Sequence, residues 1–386
     1  MMTKLNFEKR VFADCGNVWS EISSFNITDG TTEMHQIFHI ENIHEGYKNQ
    51  LNNICNALKK SLSDWSDFSS PFCRVFLSDA ANQQNLLSKK LKEIDYKGTI
   101  SIIQQPPLDG SKIAIWCYLS SHLTPSTASP IKTYSHNGYT HFWNTQIGEN
   151  GDSFQQTVDL INNEVEKLRT LKMSIKDNCI RTWFYMQNID TTYHGMVKAR
   201  RLEFEKLGLS KDTHYITSTG IEGRNGNPNE LVHLDSYNVN GLKNEQIQFL
   251  YGTTHLNPTI EYGVTFERGV QIIYGDRKHI FLSGTASINN KGEIMHENDI
   301  VKQTYRMLEN CSVLLSEANA TLNDFAQVII YLRDMADYSI VKEIFDKELP
   351  KTPKVILLAP VCRPGWLIEI EGIALTEFKA PNYNNY

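Results

Sequence analysis

The residues best equipped for chemistry lie in one stretch, Cys362-Arg363-Pro364-Gly365-Trp366-Leu367-Ile368-Glu369-Ile370-Glu371-Gly372. Pro364-Gly365 is a turn signal, and Trp366, Leu367, Ile368 and Ile370 behind it are strand formers. Side chains on a strand alternate between its faces. Leu367, Glu369, Glu371 and Ile373 therefore share one face, and Trp366, Ile368, Ile370 and Ala374 share the other. The second set is apolar and belongs in a core. The first sets two carboxylates side by side, with the Cys362 thiol and the Arg363 guanidinium at the mouth of the strand. An acid, a thiol and an arginine converging there form a candidate active site. On a solvated edge strand the same glutamates would be ordinary surface groups.

Positioning such residues takes a sheet, and the chain writes one order of elements three times. In the last third a strand over 280–287 ends in Ser283-Gly284-Thr285-Ala286-Ser287, and a helical pattern covers about 299–315. A strand over 325–332 runs into Tyr331-Leu332-Arg333-Asp334. A helix over about 338–348 stops at Pro350 and Pro353, and strands over 354–359 and 366–376 close the unit. The middle third repeats this with strands over 140–147 and 180–187, helices over 154–172 and 193–207, and closing strands over 214–219 and 230–239. The first third does so more weakly, from a strand over 34–40 to one over 112–119. Gln156-Thr157 matches Gln303-Thr304, and Tyr185 with Asn188 matches Tyr331 with Asp334.

The expected fold class is therefore α+β, built of β-α-β-α-β-β units in three copies that form an intrachain pseudo-trimer. The expected units are 1–123 (degenerate), 131–240 and 245–380, the last carrying the site. Linkers are expected at 124–130, rich in Pro, Ser and Thr, and at 241–245, and the Asn-rich tail from Pro381 is expected to fray. A sheet with two helices on one face leaves its other face bare. Three such sheets would cover one another, with clefts where neighbouring units meet.

The chain of 386 residues carries a net charge of −6. That balance argues against nucleic acid or an anionic membrane as the main partner; an anionic substrate would need a local arginine cluster. The N-terminal residues lack an apolar segment of the secretory kind, and no apolar run reaches spanning length. Seven scattered cysteines with no CxxC pair fit reduced thiols in the cytoplasm, mostly buried. No histidine spacing suggests a metal site, and no cofactor is expected. Gly223-Arg224-Asn225-Gly226-Asn227 lacks the ending of a phosphate loop and reads as a turn.

The unit resembles the YjgF/RidA fold, also described as chorismate-mutase-like, most closely in the last third. Over about 74–376 the chain looks like the narrower chorismatase/3-hydroxybenzoate synthase family. The resemblance rests on Asn82-Gln83 after Ser78-Asp79, Gln105-Pro106-Pro107-Leu108, Arg181-Thr182-Trp183, Glu261-Tyr262-Gly263 with Phe266-Glu267-Arg268, Ser283 to Ser287, Tyr331 to Asp334, and Cys362 to Glu371. It implies chorismate as substrate, a small dicarboxylate with an enolpyruvyl ether. It implies that Glu369 protonates the enolpyruvyl methylene, so that pyruvate is released. It also implies that the residue seven positions earlier selects the product: a cysteine, here Cys362, goes with 3-hydroxybenzoate, and a small apolar residue with hydrolysis to a dihydroxy-cyclohexadiene acid. Gly284, Thr285 and Ala286 would line the ring pocket.

Elementary chemistry agrees. Protonating a vinyl ether needs a positioned acid, and a partly desolvated carboxyl beside another holds its proton to near neutrality. Glu371 could raise Glu369 in this way, or serve as a salt-bridge partner. A dianion needs guanidinium forks. The candidates are Arg333, otherwise an ion pair with Asp334 or Asp337; Arg268, otherwise a surface charge; and Arg363, otherwise solvent-facing. Tyr262 could add a hydroxyl donor. Cys362 suits a neutral hydrogen-bonding or shape role better than covalent catalysis. The rival readings are imine or enamine hydrolysis of the RidA type, with Arg363 binding the substrate carboxylate, and a metabolite-binding protein without chemistry. An internal pseudo-trimer fits a monomer or a homo-oligomer.

Overall fold

The computed structural model describes residues 5–27, 30–126 and 131–386, with Tyr262 described by its backbone alone. Part of the expected 124–130 linker and the Tyr262 side chain thus lie outside the described residues.

Among the described residues, eighteen strands and seven α-helices follow one another in three rounds. The first holds β1 (Leu5–Phe12), β2 (Val18–Phe25), β3 (Glu33–His39), α1 (Tyr47–Asp64), β4 (Ser69–Leu77), α2 (Ala80–Glu93), β5 (Thr99–Gln104) and β6 (Ile113–Ser120). The second holds β7 (Thr124–Pro125), β8 (Tyr134–His136), β9 (Tyr139–Ile147), α3 (Ser153–Thr170), the short α4 (Ile175–Asn178), β10 (Cys179–Met186), α5 (Ile189–Lys206), β11 (Thr217–Glu222) and β12 (Val232–Asn240). The third holds β13 (Ile247–Leu250), β14 (Gly269–Ile273), β15 (Arg277–Ala286), α6 (Ile300–Glu317), β16 (Phe325–Leu332), α7 (Tyr338–Glu348), β17 (Lys354–Leu358) and β18 (Ile368–Glu377).

The three sheets share one topology. Their orders are β1-β2-β3-β6-β4-β5, β7-β8-β9-β12-β10-β11 and β13-β14-β15-β18-β16-β17. The repeat is therefore real, but each unit opens with two more strands than the sequence pattern gave. Those strands hide for local reasons. β1 is an edge strand whose run LNFEKRVF mixes charges with apolar residues, and β7 and β13 have only two and four residues. The expected 124–130 linker begins as strand β7.

Each sheet carries its helices on one face and turns the other toward its two neighbours. The inner faces form one core containing Trp116, Trp143, Tyr237 and Phe281, drawn from all three sheets. Loops lock the units in a cycle. Glu222 N–H donates to Pro360 O at 3.1 Å, Gln104 N–H to Arg224 O at 2.6 Å, and Leu108 N–H to Ile356 O at 3.0 Å. The loop before each closing strand thus docks on the last parallel strand of the next unit. The tail does not fray: the Tyr386 ring is buried, its N–H donates to Asp276 at 3.0 Å, and its hydroxyl meets that of Tyr118 at 2.5 Å. The aromatic terminus finds the core that its asparagine-rich neighbours would not suggest.

A glutamine near the start of the first helix of each unit fixes the beginning of the closing strand. Gln50 accepts from Lys112 N–H at 2.8 Å, Gln156 from Leu231 N–H at 2.8 Å and Gln303 from Leu367 N–H at 2.9 Å. Gln303 also donates to Gly365 O at 2.9 Å, which holds the turn that carries Cys362 and Arg363. Among the described residues no helix is long and apolar enough to cross a membrane.

Candidate active site

β18 is a central strand, paired with β15 on one side and β16 on the other. The solvated-edge alternative therefore falls: Glu369 and Glu371 are 5% and 3% exposed, on the inner face between sheets. Beside them the register of β15 slips between Leu282 and Thr285. Such a bulge re-aims side chains where a regular ladder could not. Gly284 sits in the slip, and a Cβ there would lie 2.1 Å from Glu369 Oε1. Only glycine lets the Glu369 carboxyl rest against that backbone.

The two carboxyls meet opposite surroundings. Glu371 accepts from Arg181 at 2.9 Å, from the Trp183 indole N–H at 2.8 Å and from the Thr219 hydroxyl at 2.5 Å, and Arg74 lies 3.6 Å away. It is the salt-bridge partner that the sequence allowed. Glu369 faces a cavity instead. Burial, reinforced by the charge of Glu371, pushes its carboxyl up to about 8, against the pull of Arg181 and Arg268. It holds its proton to well above the usual carboxylate range.

That cavity, about 510 Å³ including its opening, lies between the second and third units. The third unit gives Glu369, Cys362, Arg363, Arg268, Gly284 and Ala286, and the second gives Tyr193, Arg200, Ser218 and Gly220. Three guanidiniums thus surround one acid. Arg268 is held by Asn257, whose backbone and side-chain oxygens accept from it at 3.0 and 3.3 Å. Arg363 stacks over Trp366 with 5.0 Å to the ring centroid and, half-buried, lines the cavity wall. Arg200 is buried, and its Nη1 is 3.4 Å from Ser218 Oγ.

Cys362 is the one half-buried cysteine; the other six are buried and all seven are unpaired. Burial, then the charge of Glu369, pushes its thiol up to about 12, although a hydrogen bond with Tyr193 opposes the rise. It is a neutral thiol, unsuited to act as a thiolate nucleophile.

Two of the expected ligands stand elsewhere. Arg333 donates to Val361 O at 2.6 Å and to Asp190 at 2.5 Å. It ties the end of β16 to α5 of the neighbouring unit and is absent from the cavity wall. Its acidic partner is distant in sequence, so neither Asp334 nor Asp337 plays that part. Thr285 faces away because strands alternate: it pairs with Ile370 and bonds Cys311 on α6, so only Gly284 and Ala286 of that trio reach the cavity. Tyr262 ends a short 3₁₀ turn, Thr259–Tyr262, that stands before the wall residues Val264 and Phe266. Sequence reasoning missed Arg200 and Tyr193. The available signal was an arginine set among Met196, Ala199 and Phe204 on the buried side of α5.

Residues 266–376 match the family described as Endoribonuclease L-PSP. A RutC family protein of Pyrococcus abyssi is 36% identical over 101 residues, which cover 25% of this chain and 79% of that protein. A 3-hydroxybenzoate synthase of Streptomyces hygroscopicus is 26% identical over 267 residues, covering 63% of this chain and 76% of that protein. The crystal structure of a chorismatase superposes with a TM-score of 0.60 at 17% identity, covering 79% of this chain and 93% of that one, and so shares its fold.

Proposed function

The chain belongs to the RutC family, of YjgF/RidA-like fold, and on that footing we propose that it is a cytoplasmic enzyme that cleaves chorismate to 3-hydroxybenzoate and pyruvate. The observation that carries this reading is Glu369: a carboxyl raised to about 8 in a cavity that also holds Arg200, Arg268 and Arg363. A binding module has no need of a protonated acid there. The likeness to a 3-hydroxybenzoate synthase over 63% of the chain supports the same aromatic product.

In this reading the guanidiniums grip the two carboxylates of the substrate. Glu369 gives its proton to the terminal methylene of the enolpyruvyl group, and the adjoining carbon becomes an oxocarbenium-like centre. The carboxylate that Glu369 becomes on giving up its proton lies beside that centre and stabilises it, while Glu371 stays in its salt bridge with Arg181. Loss of the side chain as pyruvate and aromatisation of the ring give products whose atoms sum to those of chorismate, so no redox partner is needed. Cys362, a neutral thiol beside the acid, directs the ring toward 3-hydroxybenzoate. The hydrolytic branch would add water and give a dihydroxy-cyclohexadiene acid. Arg363 on the cavity wall favours one other reading, imine or enamine hydrolysis with that arginine on the substrate carboxylate.

Incubation of the purified protein with chorismate decides among these. Pyruvate with 3-hydroxybenzoate is the expected result, pyruvate with the diol would move the assignment to the hydrolytic branch, and absence of pyruvate would remove both. Cys362→Ala is expected to shift the product toward the diol; an unaltered product ratio would count against its directing role.

A further inference from the structure

A second groove, about 1180 Å³ counting the open space above it, adjoins the cavity and shares Tyr193, Val264, Cys362 and Arg363 with it. One wall is the outer face of α5. Asp190, Tyr193, His194, Val197, Lys198 and Arg201 recur there at the three- and four-residue spacing that sets side chains on one side of a helix. Lys198 and Arg201 are exposed. The single carboxylate on this wall, Asp190, is paired with Arg333 at 2.5 Å. What remains is a run of positive charge, Lys198 and Arg201 leading to Arg363 and then to the arginines of the cavity, on a chain whose net charge is −6.

We infer that this face of α5 is an electrostatic approach that draws a small polyanion from solution to the cavity. The inference rests on the reading of the cavity as a site for a doubly charged acid. A cleft lined by one sign of charge focuses its field and raises encounter rates by about 10 to 10³-fold, an effect that salt removes. The Arg333–Asp190 pair then has two consequences: it joins two units, and it cancels the one charge that would repel the ligand.

Cys362 stands where groove and cavity meet and is half-buried; its raised thiol reacts slowly, but its small thiolate fraction is the same toward every reagent, so the ratio of two reagents' rates reports the local potential without any turnover. The probes are the anionic sulfonatoethyl and the cationic trimethylammonioethyl methanethiosulfonates, with each rate divided by that of the same reagent on a free small thiol and with Cys362→Ser as the control. At about 20 mM salt the anionic reagent should be favoured about tenfold, and the preference should shrink toward unity near about 500 mM. Lys198→Gln with Arg201→Gln should remove most of it. In parallel, chorismate association with the Glu369→Gln protein, followed by tryptophan quenching, should slow as salt rises, and the double substitution should flatten that slope. A normalised reagent ratio near one at low salt, or a ratio and slope that the double substitution leaves intact, overturns the proposal. A protein that prefers the anionic reagent yet releases no pyruvate from chorismate keeps the approach and loses the functional reading.

Discussion

Glu369 and Glu371 are two residues apart on one face of β18, and their neighbours give them different work. Glu371 has two arginines, an indole and a hydroxyl around it; Glu369 has a glycine backbone, a cavity and the charge of its twin. If Glu369 is the proton donor, it acts only while protonated. The kcat/KM for pyruvate release should then hold below pH 8 and fall as pH rises through about 8, the reverse of a general-base profile. Glu369→Gln keeps the shape and removes the proton, and should lower kcat by about 10² to 10⁴-fold with the fold intact by circular dichroism. A flat pH profile, or a Gln variant near wild-type rates, would take the acid role from this residue. Gly284→Ala tests the seat of the acid. The new methyl would lie 2.1 Å from Glu369 Oε1, so the carboxyl must move, at about 1 to 3 kcal/mol and with loss of turnover. At this scale the alternation of Trp366 to Ala374 was plain in the sequence. The partners of each carboxyl were not, because Arg74, Arg181 and Thr219 are brought to Glu371 by tertiary folding from far along the chain.

The turn that carries Cys362 and Arg363 is held by a helix. Gln303, near the start of α6, accepts from Leu367 N–H and donates to Gly365 O, and Gln50 and Gln156 bind the corresponding stretch of their own units. The repeated Gln-Thr was legible as a pattern, and the structure supplies its cause: the backbone groups ahead of each closing strand have no ladder partner and take a side chain instead. Gln303→Leu would leave an N–H and a carbonyl unpaired. It should cost about 1 to 3 kcal/mol in urea unfolding and speed labelling of Cys362 by a neutral thiol reagent. Unchanged labelling would mean that the turn holds its shape without the glutamine. The opening strands were illegible for the opposite reason. β7 and β13 are too short for alternation to register, and β1 carries its polar residues outward from an edge. Arg333 shows a further limit. It lies at the strand end where the sequence placed it, but its bonds run to Val361 and to Asp190, a partner no local pattern could announce.

Between the three sheets lies a chain of buried charge. Arg74 of the first unit bonds Asp235 of the second at 2.9 Å and approaches Glu371 of the third at 3.6 Å. Removing Arg74 leaves Asp235 to His233 alone and Glu371 to Arg181 alone, each short of one buried partner, so Arg74→Met should lower stability by about 3 to 5 kcal/mol in urea titration, far beyond a surface arginine. A loss under about 1 kcal/mol would show that the core tolerates uncompensated charge. His233 extends the chain, bonded to Glu230 at 2.9 Å and Asp235 at 3.0 Å. Burial opposes its charge, but the two carboxylates outweigh it and raise the ring to about 9 from 6.5. A group raised on folding stabilises fully below its unfolded value and loses that contribution as pH rises through its folded one. Stability should therefore decline from about pH 6.5 to about 9. Glu369, raised as well, weakens the fold in an overlapping range, so the comparison belongs in a Glu369→Gln background, where adding His233→Asn should flatten the decline. The triplicate plan was readable from the order of elements. The cyclic contact between units was not, since it depends on loops rather than on periodicity.

A homotrimer accepts each mutation three times over, once in every copy of its cleft. Here the copies are consecutive stretches of one polypeptide, so a substitution alters a single boundary and leaves the other two as they were. That independence explains how one boundary can be furnished with acid, thiol and arginines while another, at Arg224 and Gln104, serves as plain adhesive. It also leaves the other two boundaries open to alteration without disturbing the chemistry proposed at the third.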